Sequence, residues 1–207
     1  MKRLVIATAF AVPILAVAAF AATRNQATES PSQPSQGPYR GSEPPGRNLL
    51  PGFRLPTYDR RIISKRDLRR SVVLTTFVDT ACKESCPIII AALAAALHQL
   101  DGATRRSVVA VAFSVDPKVD TPRHVRMFLR DRHAEGEVTY AVASVQRMRP
   151  VWRAFHVLPA VDTGNADIHS ADIRIFDRRG LWVSTLNVGA DLTVANLAHD
   201  IETALAR

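Results

Sequence analysis

The most regular feature of the chain is the alternation of unbroken apolar runs with helix-forming ones. Residues 71–78 (SVVLTTFV) and 107–115 (SVVAVAFSV) are rich in β-branched residues and almost free of charge, the pattern of strands buried on both faces of a parallel sheet. Between them, residues 87–100 (PIIIAALAAALHQL) place Pro at a plausible first helical position ahead of good helix formers, which predicts a buried helix. Strand, helix and strand of these lengths make a βαβ unit whose crossover should be right-handed. Asp120-Thr121-Pro122 then opens a second helix to about residue 132, with Thr121 as its cap. Residues 138–142 read as a short strand and 144–155 as a helix. Residues 171–176 and 181–188 flank DRRG, whose Gly180 can take positive φ, so they form a hairpin. An amphipathic helix over 192–205 closes the chain.

The order βαβ, inserted helix and strand, then ββα predicts an α/β, thioredoxin-like fold with an insertion, over residues 52–207. No internal repeat is apparent. Ahead of this domain, residues 4–22 are an apolar run broken only by Thr8 and Pro13, after a positive Met1-Lys2-Arg3 start. Residues 1–22 are therefore a signal peptide or a membrane anchor, and the length of the run favours an uncleaved single-pass anchor. Lys2 and Arg3 favour an inside N-terminus, which leaves the domain outside. No cysteine lies near the end of the run, so lipid modification there is excluded. Residues 23–51 are rich in Gln, Ser, Pro, Gly and Arg and predict a disordered linker, too polar to bury a core of its own.

The 207 residues carry a formal net charge of +8. The basic residues are scattered, form no long run and stand among few aromatics, which argues against a nucleic-acid site.

Both cysteines of the chain lie in T-A-C-K-E-S-C-P, between the first buried strand and the first helix. That is where open α/β sheets place their sites, and a helix N-terminus stabilises a thiolate, with Lys83 adding positive charge. Because a residue before proline is pushed toward extended backbone, Cys86 is expected to be the helix cap. Three readings stand side by side. A structural disulfide would remove little unfolded-state entropy across so short a loop. A dithiol redox site suits the location, although the spacing has three intervening residues. A metal site needs a third ligand.

Six histidines are available, at 98, 124, 133, 156, 169 and 199. His169 enters the strand at 171–176 and can face the cysteine loop from there; an ordinary loop histidine is the alternative, and His156 the fallback ligand. Two thiolates and one imidazole select Cu(I), while zinc with an added water fits the same set.

Three motifs in order carry a resemblance: C-x-x-x-C-P at Cys82 to Pro87, S-V-D-P-K-V-D-T-P at Ser114 to Pro122, and His169-Ser170 before a strand that ends at Asp177 and turns at Gly180. With these, the chain from about Phe53 onward resembles the Sco/SenC family of membrane-tethered, thioredoxin-like copper proteins. The resemblance implies one copper, Cu(I) or Cu(II), bound by Cys82, Cys86 and His169, with the cysteines also a redox-active pair. It implies a place on the outer face of a bacterial inner membrane, facing the periplasm. It further implies a role in assembling the dinuclear copper centre of cytochrome c oxidase, with that oxidase subunit, a copper donor and a thiol reductant as partners. The alternative is an exported thiol-disulfide reductase that uses the cysteines without needing His169. Asp116, after a buried strand, is a candidate to face the site as a hydrogen-bond or proton acceptor, and Asp79 a weaker one. The chain departs from the family's pattern at Lys83, where Pro is common, and at Asn165 to Ile168, where Tyr and Val often stand.

Overall fold

The computed structural model describes residues 37–207. The expected anchor and the first part of the expected linker lie outside the described residues. Among the described residues no helix is long and apolar enough to cross a membrane.

The elements run β1 (Arg54–Pro56), β2 (Ile62–Ser64), a 3-10 helix (Lys65–Leu68), β3 (Val72–Val78), α1 (Ser85–Gln99), α2 (Gly102–Arg106) and β4 (Val108–Ser114). They continue with α3 (Pro122–Arg130), β5 (Val138–Ala141), α4 (Val145–Ala154), α5 (Ala160–Thr163), β6 (Asp172–Phe176), β7 (Trp182–Asn187) and α6 (Val194–Leu205). Five strands form one sheet in the order β5-β4-β3-β6-β7. β3 is central, parallel to β4 and antiparallel to β6, and β5 adds a parallel strand beyond β4. This is the mixed α/β, thioredoxin-like architecture, with α3 and β5 as the insertion.

The sheet is covered on both sides, which explains the unbroken apolar reading of β3: all seven of its residues are buried. Val72, Leu74 and Val78 point into a core shared with α1, α3 and α6. Val73 and Phe77 point the other way, into a core with Phe113, Met148, Trp152 and Phe155. Pleating alone produces that division. Phe77, Phe113 and Phe155 pack with ring centroids 5.2–5.8 Å apart, the favourable range for aromatic pairs. Among the described residues, the two cores draw on side chains from Tyr39 in the N-terminal segment to Ala204 in α6.

Three expectations need correction. The linker does not run to residue 51: Tyr39 and Leu50 are buried, and Ser42 and Thr185 exchange backbone hydrogen bonds of 2.8 and 3.0 Å. The Arg40 and Gly41 amides donate to the buried Asp200 carboxylate at 2.7 and 3.0 Å. Gly41 permits this approach, since a Cβ there would stand 2.5 Å from the Thr185 carbonyl oxygen. The polar segment adds Tyr39 and Leu50 to the two cores and covers the open edge of β7. Second, Cys86 is not the helix cap. Glu84 is, and α1 starts at Ser85, so Cys86 and Pro87 stand in the first turn. The missing N–H of Pro87 costs nothing there, because the first four amides of a helix have no intrahelical partner. Third, β1, β2, α2 and α5 were not foreseen; they are too short to show periodicity.

Elsewhere local chemistry agrees with the expected elements. The Thr121 hydroxyl accepts from the His124 amide and caps α3, and Gly180 turns the β6-β7 hairpin with φ 76°.

Candidate metal centre

The chain leaves the C-terminal end of β3 through Asp79 and Thr80 into the loop that carries Cys82. That exit is held by a buried carboxylate. Asp120 accepts from the Thr80 amide at 2.9 Å and hydroxyl at 2.7 Å, and from the Tyr140 hydroxyl at 2.7 Å, while Ser114 at the end of β4 also donates to it. Burial pushes the Asp120 carboxyl above its usual range, and these donors oppose the shift. One side chain thus ties β4, β5 and α3 to the start of the cysteine loop.

Cys82 and Cys86 are both buried, and no disulfide joins them. The amide of Cys86, in the first turn of α1, points at Cys82 Sγ from 3.4 Å. His169 comes from the loop before β6. Its Nδ1 lies 2.8 Å from the Ser170 carbonyl oxygen, which can only accept, so Nδ1 carries a proton. Nε2 is directed at Cys86 Sγ, 3.2 Å away. The two sulfurs and the imidazole donor all lie within 4.8 Å of one another.

Charge is unevenly divided over this cluster. The hydrogen bond from the Cys86 thiol holds the Cys82 pKa far down, at about 2, against the opposing effect of burial. His169 and the amides of Cys86 and Glu84 add to the lowering, as a helix N-terminus should. The same hydrogen bond, with burial, pushes Cys86 up. For His169, burial alone would lower the pKa; the interaction with Cys82 and the bond to Ser170 outweigh it, and the net shift is upward. The metal-free site is a thiolate, a thiol and an imidazole with one nitrogen already aimed.

A second contact joins the two ligand-bearing loops. Asp167 Oδ1 accepts from the amides of Lys83 and Glu84 at 2.8 and 3.4 Å. Asp167 itself is braced by Asn165 Oδ1, which accepts its amide at 2.9 Å, and the Thr163 hydroxyl donates to the Ile168 carbonyl at 2.8 Å. The stretch Asn165 to Ile168, where the chain departs from the family's pattern, is therefore the clip that brings His169 over the cysteines. Its sequence signal, an Asn-x-Asp turn, is too common to be distinctive. The Lys83 side chain is exposed, and it is its backbone amide that enters this contact.

Asp116 is not brought to the sulfurs. Its carboxylate accepts from the Lys118 amide at 3.0 Å in a local turn, and with Asp79 it lines a cavity of about 330 Å³ beside the cysteine loop. Asp79 is the buried acid at the site. Burial raises its pKa to about 6, partly offset by the Ala81 amide that its Oδ1 accepts at 2.7 Å. His156 is exposed at the end of α4 and lines a different cavity, together with Arg174.

The fold and the cluster together define a thioredoxin-like domain with a Cys-x-x-x-Cys pair and a distal histidine able to hold a metal ion. The chain belongs to the SCO1/SenC family, whose model matches residues 42–206. Solved structures similar to it include ScoI of Bradyrhizobium japonicum with copper bound, at 23% identity over 76% of this chain and 100% of that chain, with TM-score 0.64. Arabidopsis thaliana ScoI with copper bound is similar at 21% identity over 77% and 99%, with TM-score 0.62. BsSco, described as a member of the Sco family of cytochrome c oxidase assembly proteins with a disulfide switch, is similar at 19% identity over 80% and 98%, with TM-score 0.65. No curated protein sequence matches the chain.

Proposed function

We propose that this protein binds one copper ion through Cys82 Sγ, Cys86 Sγ and His169 Nε2 and helps to assemble the dinuclear copper centre of cytochrome c oxidase. The observation that carries the proposal is the convergence of these three donors within 4.8 Å in a SCO1/SenC chain. Two soft sulfurs and one imidazole suit copper, and copper is bound in the Bradyrhizobium and Arabidopsis relatives. The link to the oxidase is supported by the family description of BsSco. Copper is cargo here. It leaves by ligand exchange, as a partner's donors replace these three without a change of oxidation state. The pair must be kept reduced for this, because two-electron oxidation to a disulfide removes both sulfur ligands, so an exported thiol reductant is part of the proposal.

We place the domain outside a bacterial inner membrane, tethered through residues 4–22; their apolar composition after Lys2-Arg3 supports this. The thiol-disulfide reductase alternative is weaker, because a dithiol reductase has no need of the imidazole directed at Cys86 from 3.2 Å.

The test is an anaerobic copper titration of reduced residues 37–207 beside the Cys82→Ser and His169→Ala variants. One copper per chain is expected, with affinity lost sharply in both variants. Unchanged affinity in Cys82→Ser sinks the copper proposal. Full oxidase assembly by His169→Ala, with none by Cys82→Ser, turns it into the reductase.

A further inference from the structure

At the end of β3 opposite the metal centre, basic residues that are dispersed in the sequence gather in one place. Arg54, Arg66, Arg69, Arg70 and Arg178 line a cleft of about 870 Å³ around the first residues of β3 and the Gly180 turn. Among the described residues, none of these five side chains has a hydrogen bond or an ion pair. Lys65 and Arg179 add two more cations at the rim, the first bonded to the Leu50 carbonyl and the second paired with Asp177. The other nearby acid, Asp67, bonds the Ser64 amide and hydroxyl and feels the Arg54 charge.

These exposed guanidinium groups carry like charge along one cleft, and anionic oxygens entering among them are favoured. The lining offers nucleic acid little to stack on. Its one aromatic ring, Phe53, is held edge-on against Phe113 at 4.9 Å.

The position of the cleft relates it to the chain's entry point. The described fold begins at residue 37, and Tyr39 lies buried under Arg207, 5.1 Å from its ring, within electrostatic reach of Arg179 and Asp177. The first described residues thus lie toward the same end of the fold as the cleft. We infer that the cleft is a docking site for the phosphate headgroups of an anionic phospholipid surface. It would hold the tethered domain with its arginines on the bilayer and its metal centre turned away. β3 spans the two ends, so the separation is at least the ~20 Å that seven strand residues cover.

The inference rests on the membrane tether proposed above, and its test is independent of that tether. Residues 37–207 contain both cores, and the Bradyrhizobium relative is matched over 100% of its solved chain by 76% of this one, so this portion can be used alone. It is sedimented at low salt with vesicles of phosphatidylcholine, with and without phosphatidylglycerol. Binding is expected only with phosphatidylglycerol and is released by high salt. Each basic residue near an anionic surface contributes about fivefold, so Arg66→Gln/Arg69→Gln/Arg70→Gln loses roughly 100-fold. A control triple away from the cleft, Arg106→Gln/Arg123→Gln/Arg153→Gln, loses less than about fivefold. Near-UV circular dichroism confirms that both triples are folded.

Absence of a phosphatidylglycerol preference, or equal losses in the two triples, overturns the inference. So does displacement from vesicles by inorganic phosphate at constant ionic strength, which assigns the cleft to a free anion, or tighter binding to a DNA oligonucleotide. Membrane partition of the full chain reports on the tether separately.

Discussion

Replacing Asp167 with alanine cuts the carboxylate clip that, beside the His169–Cys86 contact, links the histidine loop to the cysteine loop. The carboxylate accepts a 2.8 Å hydrogen bond from the Lys83 amide and a longer one, 3.4 Å, from Glu84, the cap of α1. Charge-assisted hydrogen bonds contribute about 1.5–3 kcal/mol each when well made, and a half-buried site reduces that. Only the shorter contact is well made, so about 1 kcal/mol is assigned to it, and the favourable placement of a negative charge at a helix N-terminus adds about 0.5 kcal/mol. The expected loss of stability is therefore about 1.5 kcal/mol. Thr163 and Asn165 still brace the loop around His169 internally, so the effect on copper is one of placement, with affinity falling about tenfold, as for other groups that orient a metal ligand. Asp167→Asn keeps an acceptor oxygen and should recover about half of both losses. Urea unfolding of the reduced, metal-free protein reads the first quantity, and competition with a chromophoric Cu(I) chelator the second. Copper affinity within twofold of the parent, together with an unshifted Lys83 amide resonance, refutes this account of the clip.

Two further outcomes follow from the charge distribution. Asp79 has a folded pKa of about 6, above the ~3.9 of an exposed Asp, so the folded state binds its proton more tightly. Its stabilising effect is complete below pH ~4 and is lost as pH rises through about 6. Asp79→Asn, which keeps an acceptor for the Ala81 amide, should match the parent in urea unfolding near pH 4 and exceed it by ~2 kcal/mol near pH 8; a gap that does not vary with pH contradicts this. With the Cys82 pKa at about 2 and Cys86 raised, an alkylating probe on the reduced, metal-free protein should modify Cys82 first. Its rate should be nearly flat from pH 5 to 8, and a rate climbing tenfold per pH unit there would show an ordinary thiol.

Much of the fold was legible because its main elements are strongly patterned. β3 and β4 read as buried strands since both sheet faces are covered, and α3 could be read from Thr121 and Pro122 because capping is local chemistry. What escaped depends on partners distant in sequence. Residues 39–50 have a linker's composition and could not disclose that the β7 edge and the Asp200 carboxylate, some 160 residues on, would take up their amides. Cys86 was misplaced by a rule that holds for chain in general but yields in the first turn of a helix. The amide of Cys86 there gains an acceptor in Cys82 Sγ, and Pro87 has no bond to lose.

The site shows the same division between what lies on one element and what lies between elements. Cys82 and Cys86 announce themselves by spacing and by position after a buried strand, and His169 by its place before the partner strand. The acids could not be sorted that way. In S-V-D-P-K-V-D, Asp116 and Asp120 are both aspartates after a strand, yet Asp116 bonds its own turn while Asp120 reaches Thr80 and Tyr140. That choice depends on where β5 delivers Tyr140, which no local pattern encodes. The charge behaves likewise. Scattered arginines argue against a nucleic-acid site along the chain, but Arg54, Arg66 and Arg178 line one cleft because the β1-β2 hairpin and the Gly180 turn both lie at the start of β3. Dispersion in sequence therefore does not imply dispersion in space. The same central strand that delivers the cysteines at one end collects the unpaired cations at the other.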